Sequence, residues 1–429
     1  MFCGASWQVF WSTTDAARYQ CYALSFWFGS NGTKLLPESQ CAFLHLTTAQ
    51  TPFHLLPVEY PPLTLAVFSL ALLLPLMYYQ VAFAVLMSLV SVLIYWLLLR
   101  YGPRGAALTF ATYIFIGALA TAQGRFDLIP ATLTLLCVIA AERKHWTTAY
   151  VALAFGVLLK LYPLLLLPGL FIAEQQVAGR LHIPAKSLTL RALLSQLGYT
   201  ARGITSWRWQ NFLIFLGIIL GVSGAFSLLN FQGAVVNQLS YFTQRPIQIE
   251  ATASTVLWLA HNFDQPFQVV YSYGSLNSLS SLSGIVGVIS IALLIAGYAY
   301  ILWQQWRGKL DITQTMIAFL FIFIATGKVF SPQYLIWLIP LLAYAGAFDT
   351  FWLFCWGSVS VLTTFIYSYL YAHLSNPQLI YHIPGFFETI ATRNAFFVLI
   401  TLAYLFNWYQ ARQRKLLPPS PMGKETRPL

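Results

Sequence analysis

The stretch LTLAVFSLALLLPLMYYQVAFAVLMSLVSVLIYWLLLR, from Leu63 to Arg100, carries no charged side chain before its last residue. A helix rises about 1.5 Å per residue, so roughly 20 apolar residues cross the hydrocarbon core of a bilayer. The pattern recurs outward from there, with apolar segments at approximately 63–79, 80–99, 105–122, 127–141, 146–159, 162–173, 211–229, 284–303, 313–326, 333–348, 350–371 and 394–409. Of the 429 residues 58% are hydrophobic and only 8% charged, against roughly 25% charged in a water-facing domain. Too few charges exist to coat three soluble domains, and the expected fold is an all-α integral membrane bundle over 63–410. Segments shorter than about 17 residues are expected to be half-helices, or helices packed inside protein.

The formal net charge of +11 points to topology rather than to nucleic acid. Lys and Arg gather at 180–208 and 412–427, so the loop 174–210 and the tail 411–429 are assigned to the cytoplasm. Counting back from the tail puts GKVFSPQY (327–334), the long loop 230–283, KLYP (160–163) and QGRFD (123–127) outside. RYGPRG (100–105), ERKHW (142–146) and QQWRGK (304–309) fall inside. Strict alternation then places VEYPPL (58–63) inside, although its polar surroundings look extracellular. Either one segment between 63 and 141 is re-entrant, or 63–99 crosses only once. Within the external loop, ATASTVLWLAH (251–261) has helical apolar spacing and is expected to lie as an amphipathic helix along the membrane surface.

Residues 1–62 are mixed polar and aromatic, without the charged and apolar regions of a signal peptide. They are expected to form an extracytoplasmic loop segment whose preceding transmembrane helix is missing. The five cysteines include no CxxC pair and no metal-ligand spacing, so no metal site is expected. Cys21 and Cys41 either form a disulfide or remain free thiols, and Cys3 lies in the same segment.

A charge buried in hydrocarbon costs at least about 2.5–3.5 kcal/mol unless paired or solvated, so charges at segment ends are the informative ones. The outer face collects Asp15, Arg18, Glu59, Arg125, Asp127, Lys160, Arg245, Glu250, Asp264, Lys328, Glu388 and Arg393. A few carboxylates among several cations suit a phosphate-bearing donor. The cations hold the phosphate as it leaves, and a carboxylate takes a proton from the incoming hydroxyl.

The strings DAARYQCYALSFWFG, VEYPPL, QGRFDLIPA, GVLLKLYPLLLLP, RPIQIE and GKVFSPQYLIWLIP, in this order over roughly 15–345, resemble glycosyltransferase family 87. These are polyprenol-phosphate-mannose-dependent mannosyltransferases of GT-C fold. The resemblance implies a GT-C-like bundle that moves a hexosyl, typically mannosyl, unit from a polyprenyl phosphate to a glycan, glycolipid or protein acceptor outside the plasma membrane, without a cofactor. It places Asp15 as the catalytic base, with an ordinary helix N-cap as its competing role, and Glu59 as an alternative base or as a partner of Arg125 or Arg245. Lys160 and Arg245 correspond to cations near the donor phosphate, though Lys160 could instead snorkel from a helix end. Lys328 would touch phosphate or acceptor unless it is simply solvated. Arg125 and Asp127 would pair with each other, or Asp127 would orient sugar hydroxyls. Gln333 joins the substrate-binding set. Tyr60, Tyr162, Tyr334 and Trp337 would line a cavity, but an interfacial aromatic belt is the expected role for them.

The implied chemistry is inverting displacement at the anomeric carbon. Without a P-loop, or a DxD beside a strand, a sugar-nucleotide donor is disfavoured. Two other classes fit the composition: a flippase for lipid-linked sugars, and a non-catalytic subunit of envelope-glycan assembly. Only the enzyme makes a glycosidic bond in detergent.

Overall fold

The computed structural model describes residues 14–44, 51–181, 203–373 and 377–406. It is mostly helical, and five helices are long and apolar enough to cross a membrane: Leu76–Tyr101, Gln210–Gln244, Ser283–Trp306, Thr350–His373 and Phe386–Leu405.

The chain enters through α1 (Asp15–Phe28), most of whose residues are buried. Within the segment read as an external loop, residues 15–28 thus form a packed helix, tied to the chain beyond it by a Cys21–Cys41 disulfide with the Cα atoms 5.6 Å apart. Cys3 lies outside the described residues. Next come α2 (Thr64–Leu70), Pro75 and α3 (Tyr79–Tyr101). The ten residues Thr64–Leu73 rise only about 15 Å, so within the stretch 63–99 only the helix Leu76–Tyr101 is long enough to cross.

α4 (Ala106–Gly117), α5 (Leu128–Glu142), α6 (Trp146–Leu159) and α7 (Leu167–Val177) follow, then α8 (Gln210–Phe231) and α9 (Asn237–Gln244). α10 (Thr252–His261) is the helix expected within the external loop. The chain closes with α11 (Ser283–Trp306), α12 (Ile312–Thr326), α13 (Gln333–Tyr344), α14 (Thr350–Phe365) and α15 (Phe386–Leu405).

The two central helices, α12 and α13, are buried on nearly every face and too short to cross alone, as helices packed inside protein should be. α4, α5, α11 and α15 surround them. Close approach of α4 to α14 needs Gly117, where a Cβ would stand 2.6 Å from Ser360 Oγ. α8 and α11 are the opposite case. Leu213, Leu220, Leu228, Ile285, Val288 and Ile295 are exposed, an apolar surface that suits lipid.

The loop 230–283 departs from an all-α fold. β1 (Ile247–Gln248), β2 (Gln268–Ser272) and β3 (Ser275–Leu279) form an antiparallel sheet in the order β1-β3-β2, with Val270 opposite Asn277 and Ile247 opposite Ser278. Tyr273 and Gly274 both take positive φ, 52° and 70°, the mirror turn that matches strand twist. Asn230, non-helical at φ −158° and ψ 97°, kinks α8 one residue before its end and donates to the His54 carbonyl at 2.8 Å.

Breaks read as inside and breaks read as outside collect at opposite ends. At one end Tyr101, Glu142, Asp311 and Tyr344 line a shared pocket flanked by Arg104, Arg143, Lys144 and Lys309. Gln176 ties α7 to this end through the carbonyls of Gln305 and Trp306. Most of the basic loop itself, including Arg191, and the tail from 407 lie outside the described residues.

Candidate functional site

At the other end the chain breaks meet. Thr14 caps α1, its hydroxyl accepting from the Ala17 amide at 3.3 Å, so the capping expected of Asp15 falls to its neighbour. Asp15 forms an ion pair with Arg125, 2.5 Å from Nη2 to Oδ2, with the two side chains 14% and 18% exposed. Among the described residues no hydrogen bond occupies Asp15 Oδ1.

QGRFD enters α5 with Asp127 aimed inward and 1% exposed. Its Oδ1 accepts from Lys160 Nζ at 2.5 Å and from Trp337 Nε1 at 2.6 Å. Arg125 and Asp127 therefore do not pair with each other, because each has a closer partner from a distant segment. Lys160 takes an extended backbone after α6, and its ammonium lies over the rings of Phe126, Trp337 and Tyr60 at 5.0, 5.2 and 5.8 Å. It is held inside the protein and does not snorkel.

The aromatic residues expected in an interfacial belt instead form the floor beneath this pair. Trp337 is sandwiched between Tyr162 and Tyr334, with centroids 4.1 and 4.0 Å away, and is 2% exposed. The Tyr162 hydroxyl meets Thr134 Oγ1 at 3.1 Å. An indole whose N–H must find an acceptor in a dry interior gains one in Asp127, which a position at the headgroups would not need.

Glu59 pairs with Arg18 rather than with Arg125 or Arg245. The hairpin turn sits on that pair. A Cβ at Gly274 would stand 3.2 Å from both Glu59 Oε1 and Arg18 Nη1. VEYPPL is held by Gln238, which donates to the carbonyls of Pro57 and Tyr60 at 2.6 and 2.8 Å.

Arg245 follows α9, lies over Tyr241 at 5.5 Å and donates through Nη2 to Ser275 Oγ at 2.9 Å. Lys328 is half-buried, with Nζ 3.5 Å from the Thr243 carbonyl, so it is not fully solvated. Its own carbonyl accepts from the Gln248 amide at 2.8 Å, joining GKVFSPQY to β1. Gln333 is half-buried, with Oε1 buried and unpartnered.

The structure thus gathers Asp15, Arg125, Asp127 and Lys160 into one contiguous group with Tyr162 and Tyr334. Three ion pairs exist among the described residues, and they neutralise Arg18, Arg125 and Lys160. Arg245 and Lys328 are in none of them, so the cations free for an incoming anion differ from the expected pair of Lys160 and Arg245.

Two of the charges named in the sequence but given no role there are among the most deeply buried. Glu250 is 1% exposed and Arg393 0%. Arg393 Nη2 donates to the Glu250 carbonyl at 2.6 Å, and Asn394 Nδ2 donates to the same oxygen at 3.1 Å. The Glu250 carboxylate accepts from the Tyr371 hydroxyl. Burial pushes this carboxyl up from its ordinary value, against the opposing pull of Tyr367, Tyr371 and Arg393. RPIQIE did contain the signal, since an acid five positions after Arg245 lies in the same short segment.

No family model, no curated protein and no solved structure matches this chain. The geometry of the cluster is therefore what any functional reading rests on.

Proposed function

We propose that this chain is a membrane glycosyltransferase of GT-C-like architecture that moves a hexosyl unit, mannosyl by the sequence resemblance, from a polyprenyl phosphate to an acceptor hydroxyl on the extracytoplasmic face. The observation that carries the reading is the ion pair of Asp15, from the first helix, with Arg125, beside Lys160 on Asp127, while Arg245 and Lys328 supply two cations outside any ion pair among the described residues. The Cys21–Cys41 disulfide supports the same side, because disulfides persist in oxidising compartments.

In this mechanism Arg125 holds Asp15 by Oδ2 and leaves Oδ1 to accept the acceptor's hydroxyl proton. The acceptor oxygen bonds to the anomeric carbon as the bond from that carbon to the phosphate oxygen breaks, and the configuration inverts. The electron pair leaves with the polyprenyl phosphate, whose charge Arg245 and Lys328 would stabilise. Lys160, already neutralised by Asp127, sets the floor instead of binding phosphate. The exposed apolar side of α8 runs into α9 and so to Arg245, which offers a prenyl tail a path along the protein to its phosphate.

The test is acceptor-dependent release of polyprenyl phosphate by purified full-length protein in detergent, with a membrane glycolipid extract as the source of acceptor. Release matched by a new glycosidic product is expected. Binding of the lipid-linked sugar with no product would sink the reading and favour a flippase, which needs no bond to break.

A further inference from the structure

Arg18, Arg125 and Lys160 each meet a carboxylate, whereas Arg245 meets a serine. The difference has an electrostatic consequence. A carboxylate fixes a guanidinium and cancels its charge together, but a hydroxyl fixes it and leaves the charge for another anion. Arg245 is half-buried beside Tyr241, and among the described residues the bond from Nη2 to Ser275 Oγ is the one hydrogen bond that its guanidinium makes.

The Ser275 hydroxyl is itself held. It donates to Asn277 Oδ1 at 3.1 Å, and because a hydroxyl has one proton, its lone pairs are left for Arg245. Asn277 is fully buried, and its Nδ2 donates to the Ser272 carbonyl at 2.7 Å, to Ser272 Oγ at 2.9 Å and to the Ser275 carbonyl at 3.2 Å. These bonds fix which way the amide points, and they span both sides of the Tyr273–Gly274 turn. Ser272 and Ser275 are already paired in the ladder, so the two strands do not depend on the Ser275 side chain to meet. The Tyr241 hydroxyl donates to the Tyr273 carbonyl at 3.1 Å, so the same turn also holds the ring beside Arg245.

The sheet holds the second unpaired cation as well. Gln248 in β1 stands opposite Asn277 in β3. Its amide donates to the Lys328 carbonyl at 2.8 Å, and its Oε1 accepts from the Phe330 amide at 3.1 Å. The Lys328 ammonium lies 3.5 Å from the carbonyl of Thr243, two residues before Arg245. One cross-strand pair thereby sets the guanidinium of one cation and the backbone of the other.

We infer that Ser275, oriented by Asn277, is a positioning residue that holds Arg245 in place with its charge intact for the phosphate of a prenyl phosphate, which Lys328 also meets. The choice of phosphate as the anion rests on the proposed function. The role of Ser275 is exerted through Arg245 and on no reacting atom.

The experiment uses purified full-length protein in detergent and compares farnesyl phosphate with farnesol, which share a tail and differ in the phosphate, reading affinity from ligand-dependent thermal stabilisation. Wild type should prefer farnesyl phosphate by about tenfold or more, the contribution of one hydrogen bond to a charged group. Ser275→Ala keeps the ladder hydrogen bonds and should cut that preference about three- to tenfold, the cost of ordering one long side chain on binding, with farnesol affinity unchanged. Ser275→Thr keeps the hydroxyl and should restore the preference. Arg245→Gln should reduce the preference at least as far, leaving Lys328 on the phosphate, and adding Ser275→Ala to it should change the preference by less than about twofold, because residues that act as a unit are not additive. A preference unchanged in Ser275→Ala, or lowered by the same factor with and without Arg245, overturns the positioning role, as does a wild type that binds both ligands equally. A hairpin that is only structural would weaken both ligands alike. Coupling of Ser275 to Arg245 in a protein that transfers no sugar would uphold the role and reject the transferase, and sugar transfer with an unaltered preference in Ser275→Ala would do the reverse.

Discussion

Asp15→Asn is expected to lower turnover by roughly 10²–10⁴-fold, the usual contribution of a positioned general base, while donor binding changes little. The variant keeps the shape and the oxygen that faces Arg125, and Thr14 still caps α1. Loss of turnover could therefore not be blamed on a frayed helix. Steady-state rates with saturating donor and acceptor, beside a donor-binding isotherm, make the comparison. Near-normal turnover would move the role of base to Glu59, which sits under the hairpin with Arg18.

Asp127→Asn should destabilise the fold by about 3–5 kcal/mol, because it leaves the Lys160 ammonium without its counter-charge in a largely dry setting. Trp337 keeps an acceptor in the amide oxygen, so the loss reports the charge rather than the indole. The double variant Asp127→Asn, Lys160→Met should recover much of it, since a neutral, similarly sized side chain has no charge to bury. Denaturant-induced unfolding in detergent measures all three proteins. A single variant as stable as wild type would mean that the pair is solvated and that the aromatic floor stands without it.

The helices were legible because a bilayer leaves the chain few options: 20 or so apolar residues, ends marked by charge, Pro or Gly, and basic loops on one side. The segments read at 146–159 and 313–326 differ from α6 and α12 by no more than a residue at either end. Side-chain partners were not legible. Asp15 and Arg125 are 110 positions apart, and only the packed bundle decides that Arg125 reaches Asp15 while Asp127, two residues on, reaches Lys160. The tyrosines and Trp337 were misplaced in a belt because composition does not distinguish an aromatic residue at the headgroups from one stacked inside. The hairpin was missed for a local reason. QVVYSYGSLNSL has a weak alternation, and its turn pairs Gly274 with a tyrosine at positive φ, where Asn or Asp is the usual cue.

The proposed reaction requires the Asp15 cluster to face outward, and single-cysteine labelling tests that placement. Tyr271→Cys lies in the exposed hairpin strand beside the cluster, and Arg104→Cys in the exposed break at the opposite end. Each is made in a background where Cys3, Cys137 and Cys355 are serine and the Cys21–Cys41 bond is intact. A membrane-impermeant maleimide added to intact cells should label position 271 and leave 104 unlabelled until the membrane is permeabilised. Labelling of 104 but not 271 would place the cluster in the cytoplasm and contradict the account.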